Sequence, residues 1–252
     1  MQATTRVLQS NAALLMRRLE QQTLLDPGES LALEELGWEL RTVPRRQTLI
    51  TEGAKIPFVY FVVDGFLLRY RILHDGRRQV VDLIIPGNFA DVPSCFFKTA
   101  LFSIKTLTEA TLAAIPLSRL VRLFDTHPAL AAKIFWSFSC STAAHTEHLV
   151  AVGRRPASER VAHFLLELLV RLQNVGLADE RSFELPTSQE VIGDALGLSV
   201  AYVNCVFRRL MDDDLVTISG RRVVINDVAE LSALVDFEGG YLKPLPMSAF
   251  AD

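Results

Sequence analysis

The chain has 252 residues, of which half are apolar and 22% are charged, with a net charge of −3. This composition supports one large or two small globular domains and excludes an intrinsically disordered chain. Because no apolar run reaches the length of a membrane span and no signal-peptide pattern opens the chain, the sequence predicts a soluble cytoplasmic protein with no membrane partner.

The cysteines are three in number and far apart, at Cys95, Cys140 and Cys205. An odd count without a C-x-x-C pair excludes a disulfide framework within one chain and a cysteine-paired metal or redox site. We expect reduced thiols, which agrees with a cytoplasmic setting.

The first 41 residues have a helical pattern. The segment LLMRRLEQQ is amphipathic, Asp26-Pro27-Gly28 interrupts it, and a second helix is predicted over Glu29–Leu40. From Arg41 to Leu117 the pattern changes to short β-branched and aromatic runs punctuated by glycines, at Gly53, Gly65, Gly76 and Gly87. Strands at this spacing predict a β-sandwich or barrel.

A long helix is predicted after Pro128, since neither proline nor glycine follows until Gly153. Mostly apolar residues, with the polar Thr142 and His145 among them, recur along it in steps of three and four, at Phe135, Phe138, Thr142, His145, Leu149 and Val152. This mean spacing of about 3.5 favours packing against a parallel copy, so these six are the predicted dimerisation residues. The alternative is burial against the chain's own β domain.

His145 and His148 are spaced to share a helix face, but no acid or cysteine stands at a spacing that would complete a metal site. We therefore predict no metal. A pH-sensitive dimer seam remains open, since histidine titrates near neutrality.

A hinge is predicted at Gly153-Arg154-Arg155-Pro156, where glycine frees the backbone and proline begins the next helix. The hinge arginines are interpreted as structural or as partners of acids on the long helix. The predicted domains are residues 1–152 and 153–236, followed by an irregular tail at 237–252.

The segment Leu185–Leu210, LPTSQEVIGDALGLSVAYVNCVFRRL, predicts two short helices joined by a tight turn. Thr187 and Glu190 form a candidate capping box, Gly197 suits the turn, and Ser199 is a candidate second N-cap. The residues expected where the helices pack together are Gly193, Val203, Val206 and Leu210. This pattern is typical of a helix-turn-helix.

A basic hairpin follows at Leu215–Ile225, LVTISGRRVVI, which makes the motif a winged helix. Bulk charge does not support DNA binding, because residues 153–235 contain nine arginines, no lysine and twelve acids. The local pairs Arg208–Arg209 and Arg221–Arg222 do support it, since local placement is what contacts phosphates.

A glycine-punctuated β-roll, a long helix, an arginine-bearing hinge and a winged helix, in this order, resemble the Crp–Fnr family of bacterial transcription regulators. The resemblance covers roughly Leu24 to Val235 and is most specific in GRRPASERVAHFLLELL and PTSQEVIGDALGLSVAYVNCVFRRLMDDDLV. It implies an α+β fold with a jelly-roll-like sensor domain, a dimerisation helix and a C-terminal winged helix-turn-helix. It also implies a homodimer on palindromic double-stranded DNA, with RNA polymerase as a partner.

Family recognition helices often have Ser-Arg-Glu and an arginine four residues after the glutamate, and the matching positions here are Ser199, Val200, Ala201 and Cys205. Three of the four polar residues that contact DNA in relatives are therefore replaced in this chain. Asparagine can pair with adenine, an apolar side chain can contact a thymine methyl, and arginine can hold phosphate, so we expect an A·T-leaning site set partly by DNA shape. The candidate DNA-binding residues are Thr187, Ser188, Ser199, Val200, Ala201, Tyr202, Asn204, Cys205, Arg208, Arg209, Arg221 and Arg222.

The sensor also departs from its relatives. Cyclic-nucleotide-binding members carry a glutamate beside a glycine for the ribose and an arginine for the phosphate. Pro86–Asp91 lacks that glutamate, and Ala100–Phe102 lacks that arginine. An N-terminal cysteine cluster for an iron–sulfur centre is also missing. We therefore expect neither cyclic AMP nor an iron–sulfur cluster, and predict no cofactor.

Two further readings compete with a regulator. A metal-binding barrel enzyme needs two or three histidines inside, whereas the β segment has only His74, so no enzyme is predicted. The alternative is a sensory or protein-interaction module without specific DNA recognition. The loss of polar DNA-contacting residues at Val200, Ala201 and Cys205 favours it, whereas the intact turn, the wing and the arginine pairs disfavour it. Cys205 is either a redox switch or a small residue tolerated near DNA.

Overall fold

The computed structural model describes residues 26–90 and 92–243. The predictions made for LLMRRLEQQ and for the end of the tail lie outside these residues. The described chain forms two compact units, one of residues 26–71 and 83–141, the other of residues 72–82 and 142–243.

The first unit begins with α1 (Pro27–Glu35). Asp26 and Glu29 form a capping box, each carboxylate accepting the other residue's backbone N–H at 2.8 Å. The prediction of a helix through Leu40 is wrong, because Gly37 takes a left-handed φ of 59° and the chain then enters a strand. Asp26-Pro27-Gly28 therefore begins a helix instead of only interrupting one.

Eight strands follow within the described residues and form two four-stranded sheets, which agrees with the prediction of a β-sandwich or barrel. Their sheet orders are β1-β8-β3-β6 and β2-β7-β4-β5. The bounds are β1 Glu39–Val43, β2 Thr48–Ile50, β3 Phe58–Asp64, β4 Leu67–Ile72, β5 Arg78–Ile84, β6 Phe89–Ala90, β7 Ser103–Thr106 and β8 Ala110–Pro116.

Strand β3 is buried on both faces, which explains its unbroken apolar run. Successive strand residues point to opposite faces. Tyr60 and Val62 accordingly join one core cluster with residues of β4, β5, β7 and β8. Val59, Phe61 and Val63 join the other cluster, which includes the helices on the outer face.

The helices after the sandwich are α2 (Leu117–Thr126) and α3 (Pro128–Arg154), and the predicted long helix is thereby confirmed. One exposed stripe runs along α3 in alternating steps of three and four residues. It consists of Ala132, Phe135, Ser139, Thr142, Thr146, Leu149 and Gly153. We call it the α3 stripe.

Only half of the sequence-predicted seam lies on the α3 stripe. Phe135, Thr142 and Leu149 belong to it, whereas Phe138, His145 and Val152 are half-buried. Phe138 packs edge-on against Phe89 with ring centroids 5.2 Å apart. The Nε2 atom of His145 lies 3.1 Å from a carboxylate oxygen of Asp82, which occupies this histidine within the chain.

The second unit contains the C-terminal helices and a three-stranded sheet of order β10-β11-β9. The elements are α4 Ala157–Asn174, β9 Ser182–Glu184, α5 Gln189–Leu196, α6 Val200–Asp212, β10 Val216–Ser219, β11 Arg222–Ile225 and α7 Val228–Leu234. Within the described ranges, no single helix is long and apolar enough to cross a membrane; only α5 and α6 taken together pass that test.

The break between the two helices falls within the predicted hinge, but Gly153 is not part of it. Helix α3 continues through Gly153 to Arg154, and Pro156 is the N-cap of α4, so the break falls at Arg155–Pro156. The Arg155 guanidinium lies 3.1 Å from Glu147, as expected for a hinge arginine that pairs with an acid of the long helix. It also donates to the Val235 carbonyl.

The residues after α7 pack against α4 as far as the structure describes them. Phe237 lies edge-on to His163, with ring centroids 5.0 Å apart. The Tyr241 hydroxyl donates to Glu167 at 3.0 Å, and the Asn174 amide donates to the Leu242 carbonyl at 2.8 Å. The described part of the tail, residues 237–243, contains one 3₁₀ turn at Gly240–Leu242 and docks through Phe237 and Tyr241, two of the residues that its sequence offers for such contacts.

His163 supplies a test of this packing. Burial lowers its pKa to about 4, and the positive charge of Arg155 adds to this effect, while Glu147 opposes it. The unfolded chain binds this proton below pH 6.5 and the folded chain does not until about pH 4. The free energy of unfolding should therefore fall as the pH drops through this window, by up to about 3 kcal/mol from this group.

His163→Gln should remove that part of the pH dependence, as measured by denaturant unfolding between pH 7 and pH 4. His74→Gln, at an exposed turn, is the matched control and should leave the profile unchanged. Identical pH profiles for His163→Gln and the unaltered chain would contradict the assignment.

Candidate nucleic-acid interface

The two helices predicted to form a helix-turn-helix meet at 104°. Gly197 ends α5 with a left-handed φ of 67°, and the Leu198 N–H then donates to the Gly193 carbonyl at 2.9 Å. A Cβ atom on Gly193 would lie 2.6 Å from the Leu198 carbonyl oxygen, so only glycine fits there. The angle lies within the range of about 90–120° usual for this motif.

The N-cap of α6 is the residue predicted from the sequence, and the N-cap of α5 differs from the prediction by one residue. Ser199 caps α6, its hydroxyl accepting the Tyr202 N–H at 3.2 Å, as predicted. Ser188, not Thr187, caps α5, by accepting the Val191 N–H at 3.4 Å. Among the described residues the buried Thr187 hydroxyl has no hydrogen-bond partner, so the predicted capping box with Glu190 is wrong.

One face of α6 is buried and the other is exposed. The inward residues are Val203, Val206, Phe207 and Leu210, which include the three predicted from their spacing. The outward face begins with Val200, Ala201 and Tyr202 and continues with Cys205, Arg208 and Arg209. The structure therefore brings six of the candidate DNA-binding residues onto one surface, which we call the α6 face.

Asn204 is held differently from what its proposed role requires. It is half-buried beside the α6 face, and its amide nitrogen donates to the Val200 carbonyl one turn earlier, at 3.1 Å. Bidentate pairing with adenine uses both the amide nitrogen and the amide oxygen. Asn204 would have to give up its bond within the helix to make that pair.

Acids follow the arginines on α6. A concavity along the helix is lined by residues of both signs: Ala201, Asn204, Cys205, Arg208, Arg209, Asp212 and Asp213. Arg209 lies 3.7 Å from Asp213, and both side chains are mostly exposed, so this pair contributes little to stability. The positive end of the concavity is thus at Arg208 and Arg209, and its negative end follows one turn later.

The wing presents its arginines at a two-residue turn. Ser219 pairs with Arg222 across the hairpin, and Gly220 takes a left-handed φ of 60°. Arg221 is exposed and donates to the Leu185 carbonyl at 3.4 Å. Arg222 donates to the Ser182 hydroxyl at 2.9 Å and lies 3.4 Å from Asp179. Its side chain is 59% exposed, so the ion pair with Asp179 is weak enough to exchange for a phosphate.

The β-sandwich contains an arginine–aromatic cluster that sequence reasoning missed. Arg71 lies 4.9 Å from the centre of the Phe102 ring and 3.0 Å from Glu52. Arg69, two residues earlier on β4, approaches the same ring at 5.8 Å. Alternation along β4 places both arginines on the face of Leu67, a signal that could have been noticed in LLRYRI.

No three histidine, cysteine or acidic side chains come together as a metal site within the described chain. His148, one of the two histidines considered for that role, is substantially buried, and its burial lowers its pKa.

The contact at Gly193 can be tested directly. Alanine favours helix over glycine by about 1 kcal/mol, yet Gly193→Ala should lower the free energy of unfolding by about 1–3 kcal/mol, because the added methyl group meets backbone. Gly240→Ala is the matched control, since nothing lies within 4 Å of its added methyl group, and it should change the unfolding free energy by less than about 0.5 kcal/mol. Denaturant unfolding measures both, and a stabilised Gly193→Ala variant would contradict this packing.

Two family models match the chain. Residues 40–127 match the cyclic nucleotide-binding domain, and residues 159–234 match the Crp-like helix-turn-helix domain. The nitrogen fixation regulation protein FixK of Azorhizobium caulinodans is 30% identical over 179 residues, covering 70% of this chain and 71% of that protein. The transcriptional activator protein anr of Pseudomonas aeruginosa is 27% identical over 212 residues, covering 84% and 85%.

Solved structures agree. FixK2 from Bradyrhizobium japonicum superposes with a TM-score of 0.71 at 26% identity, covering 78% of this chain and 96% of that one. TTHB099 of Thermus thermophilus, at 21% identity and a TM-score of 0.63, shares the fold and covers 78% and 96%. By their names, anr is a transcriptional activator and FixK of Azorhizobium caulinodans is a regulation protein. The β-sandwich, the helix-turn-helix and these likenesses together show that the chain belongs to the Crp–Fnr family and is a DNA-binding transcription regulator.

Proposed function

We propose that the protein is a sequence-specific regulator that binds a palindromic operator as a homodimer, with α6 in the major groove and the wing against the phosphates. In this proposal its role is regulatory and not catalytic. It acts in the cytoplasm, where bacterial DNA lies, and RNA polymerase is the partner through which it acts. The observation that carries the proposal is the α6 face, set at 104° to α5 and accompanied by the exposed arginines of α6 and the wing.

The α3 stripe supports the homodimer. Its steps of three and four match the period at which two parallel helices keep one seam in contact. Phe135 and Leu149 are 63% and 71% exposed, and they stand two heptads apart. Parallel pairing would bring each stripe residue against its own copy and relate two α6 helices by a two-fold axis, which a palindromic site mirrors.

The effector is not cyclic AMP bound in the family's usual way, and no iron–sulfur cluster or other cofactor is required. Support comes from the arginine–aromatic cluster, in which the Phe102 ring stands in the segment where relatives place the phosphate arginine. The guanidinium of Arg71 is already in contact with that ring and with Glu52. A phosphate there would have to compete with Glu52 for this charge.

Charge removal at the wing tests the DNA contact. Arg221→Ala/Arg222→Ala should weaken binding to all sequences alike and flatten the slope of log affinity against log salt by about one to two, since each phosphate contact contributes about 0.9. Fluorescence anisotropy of labelled duplexes across a salt series measures this slope. Because Arg222 must first leave Asp179, we expect Arg221 to contribute the larger part.

Arg45→Ala/Arg46→Ala provides the matched control. These are also adjacent exposed arginines, and Arg45 donates to a carbonyl, that of Leu107, much as Arg221 donates to Leu185. The control pair lies on the β-sandwich and should leave the salt slope unchanged. A loss of affinity confined to one sequence would instead show that the wing reads bases.

The dimer is tested on the α3 stripe. Phe135→Glu and Leu149→Glu should each weaken dimerisation about a hundredfold or more, because an unpaired carboxylate would be buried at the seam. Both side chains are exposed within one chain, so its fold should be retained. Sedimentation equilibrium measures the association, with circular dichroism as the check on folding.

Val121→Glu is the control for this experiment, an equally drastic change at an exposed apolar residue of α2. It should leave the dimer intact. Dimers that survive both stripe variants, or a protein that is monomeric before any substitution, would overturn the proposed assembly.

A further inference from the structure

We infer that the α6 face recognises thymine through its C5 methyl group, with Val200, Ala201 and Cys205 as the contacting residues. The inference rests on the proposed DNA-binding function and specifies what that surface reads. It concerns the choice of base and is separate from the phosphate contacts of the arginines.

The residues concerned occupy the part of α6 that meets base edges. In helix-turn-helix proteins the N-terminal residues of the recognition helix contact the bases. Ala201 and Cys205 are one turn apart on the line facing away from Val203, Val206 and Leu210, and Val200, the first residue of α6, lies on one flank of that line. All three are exposed, Val200 by 43%.

Two polar side chains in this part of the helix, Ser199 and Asn204, already make hydrogen bonds within the chain. Ser199 accepts the Tyr202 N–H, as the cap of α6. The Asn204 amide nitrogen donates back along the helix to Val200. Tyr202 is also exposed, and it lies on the opposite flank from Val200, next to Cys205 and on the same side as Arg209.

The arginines stand too late in the helix to supply the first contacts. Arg208 follows Cys205 by one turn, and Arg209 lies close to Asp213 at the C-terminal end. At that distance from the N-terminus we place them against the DNA backbone, as the rest of the proposal requires. The centre of the surface offered to the base edges is therefore formed by Ala201 and by the thiol of Cys205, which behaves as a small hydrophobe, with Val200 on one flank and Tyr202 on the other.

Only one group on the major-groove edge of a base pair suits such a surface. Guanine, cytosine and adenine present donors and acceptors there, whereas thymine adds a methyl group. A polar base edge covered by apolar side chains loses its water without gaining a partner. The same face thus favours thymine and disfavours G·C pairs, with about a fourfold change in affinity for each methyl group buried.

The test begins with selection of bound duplexes from random DNA, using the full-length protein. Thymines of the selected half-site are then replaced one at a time by deoxyuridine, which lacks only the methyl group. At one or more positions we expect about a fourfold loss of affinity, and about a sixteenfold loss when both half-sites are changed. Val200→Ala should abolish the loss at the position that Val200 contacts.

Met211→Ala is the matched control. Met211 is also an exposed apolar residue of α6, but it lies beyond the first turns and should leave the sensitivity to deoxyuridine intact. If the loss of affinity on removing the methyl group depends on Val200 but not on Met211, Val200 contacts that methyl group directly. A general effect of the methyl group on DNA shape would persist in both variants.

The contrary outcomes are distinct. No binding to any DNA would overturn the proposed function itself. Binding without an enriched sequence, or an enriched sequence insensitive to deoxyuridine at every thymine, would overturn the inference and leave DNA binding standing. A half-site of G·C pairs that loses affinity with 7-deazaguanine, which lacks the N7 acceptor, would show that arginines read the bases instead.

Discussion

The close approach of Gly193 to the backbone at Leu198 is the constraint on which the nucleic-acid interface depends. Because no side chain stands between them, the chain turns within the few residues between α5 and α6 and holds the two helices at 104°. That angle buries one side of α6 against the unit's core and leaves the other free. The α6 face is thus a consequence of backbone packing, and the identities of its side chains could change without disturbing the scaffold.

That separation explains how an intact family fold can carry an unusual reading surface. The residues that build the turn, at Gly197 and Ser199, remain those expected of a helix-turn-helix. At the positions where relatives have polar DNA-contacting residues, this chain has the apolar Val200 and Ala201 and the thiol of Cys205. Specificity in such a surface comes from what it excludes as much as from what it binds.

The features that local chemistry specifies could be predicted from the sequence. The β runs, the long helix and the wing have signals contained within a few residues, and all could be predicted.

Errors arose where two residues compete for one role or where a contact with a residue distant in the sequence decides the structure. Thr187 and Ser188 can both cap a helix, and pairing of β1 with β8 overrides the helical pattern at Leu40. A spacing of 3.5 fixes the period of the α3 stripe but not its position around the helix. Phe89 and Asp82 determine that position by contacting Phe138 and His145. No sequence pattern indicates the hydrogen bond from the Asn204 amide nitrogen to the Val200 carbonyl.

Mapping of the DNA bound by the protein across its own genome tests the central claim most directly. If two α6 faces are presented by a symmetric dimer, the enriched fragments should share an inverted repeat whose half-site centres are separated by about one helical turn or a multiple of it. Fragments with no common sequence, or with single half-sites only, would contradict the account.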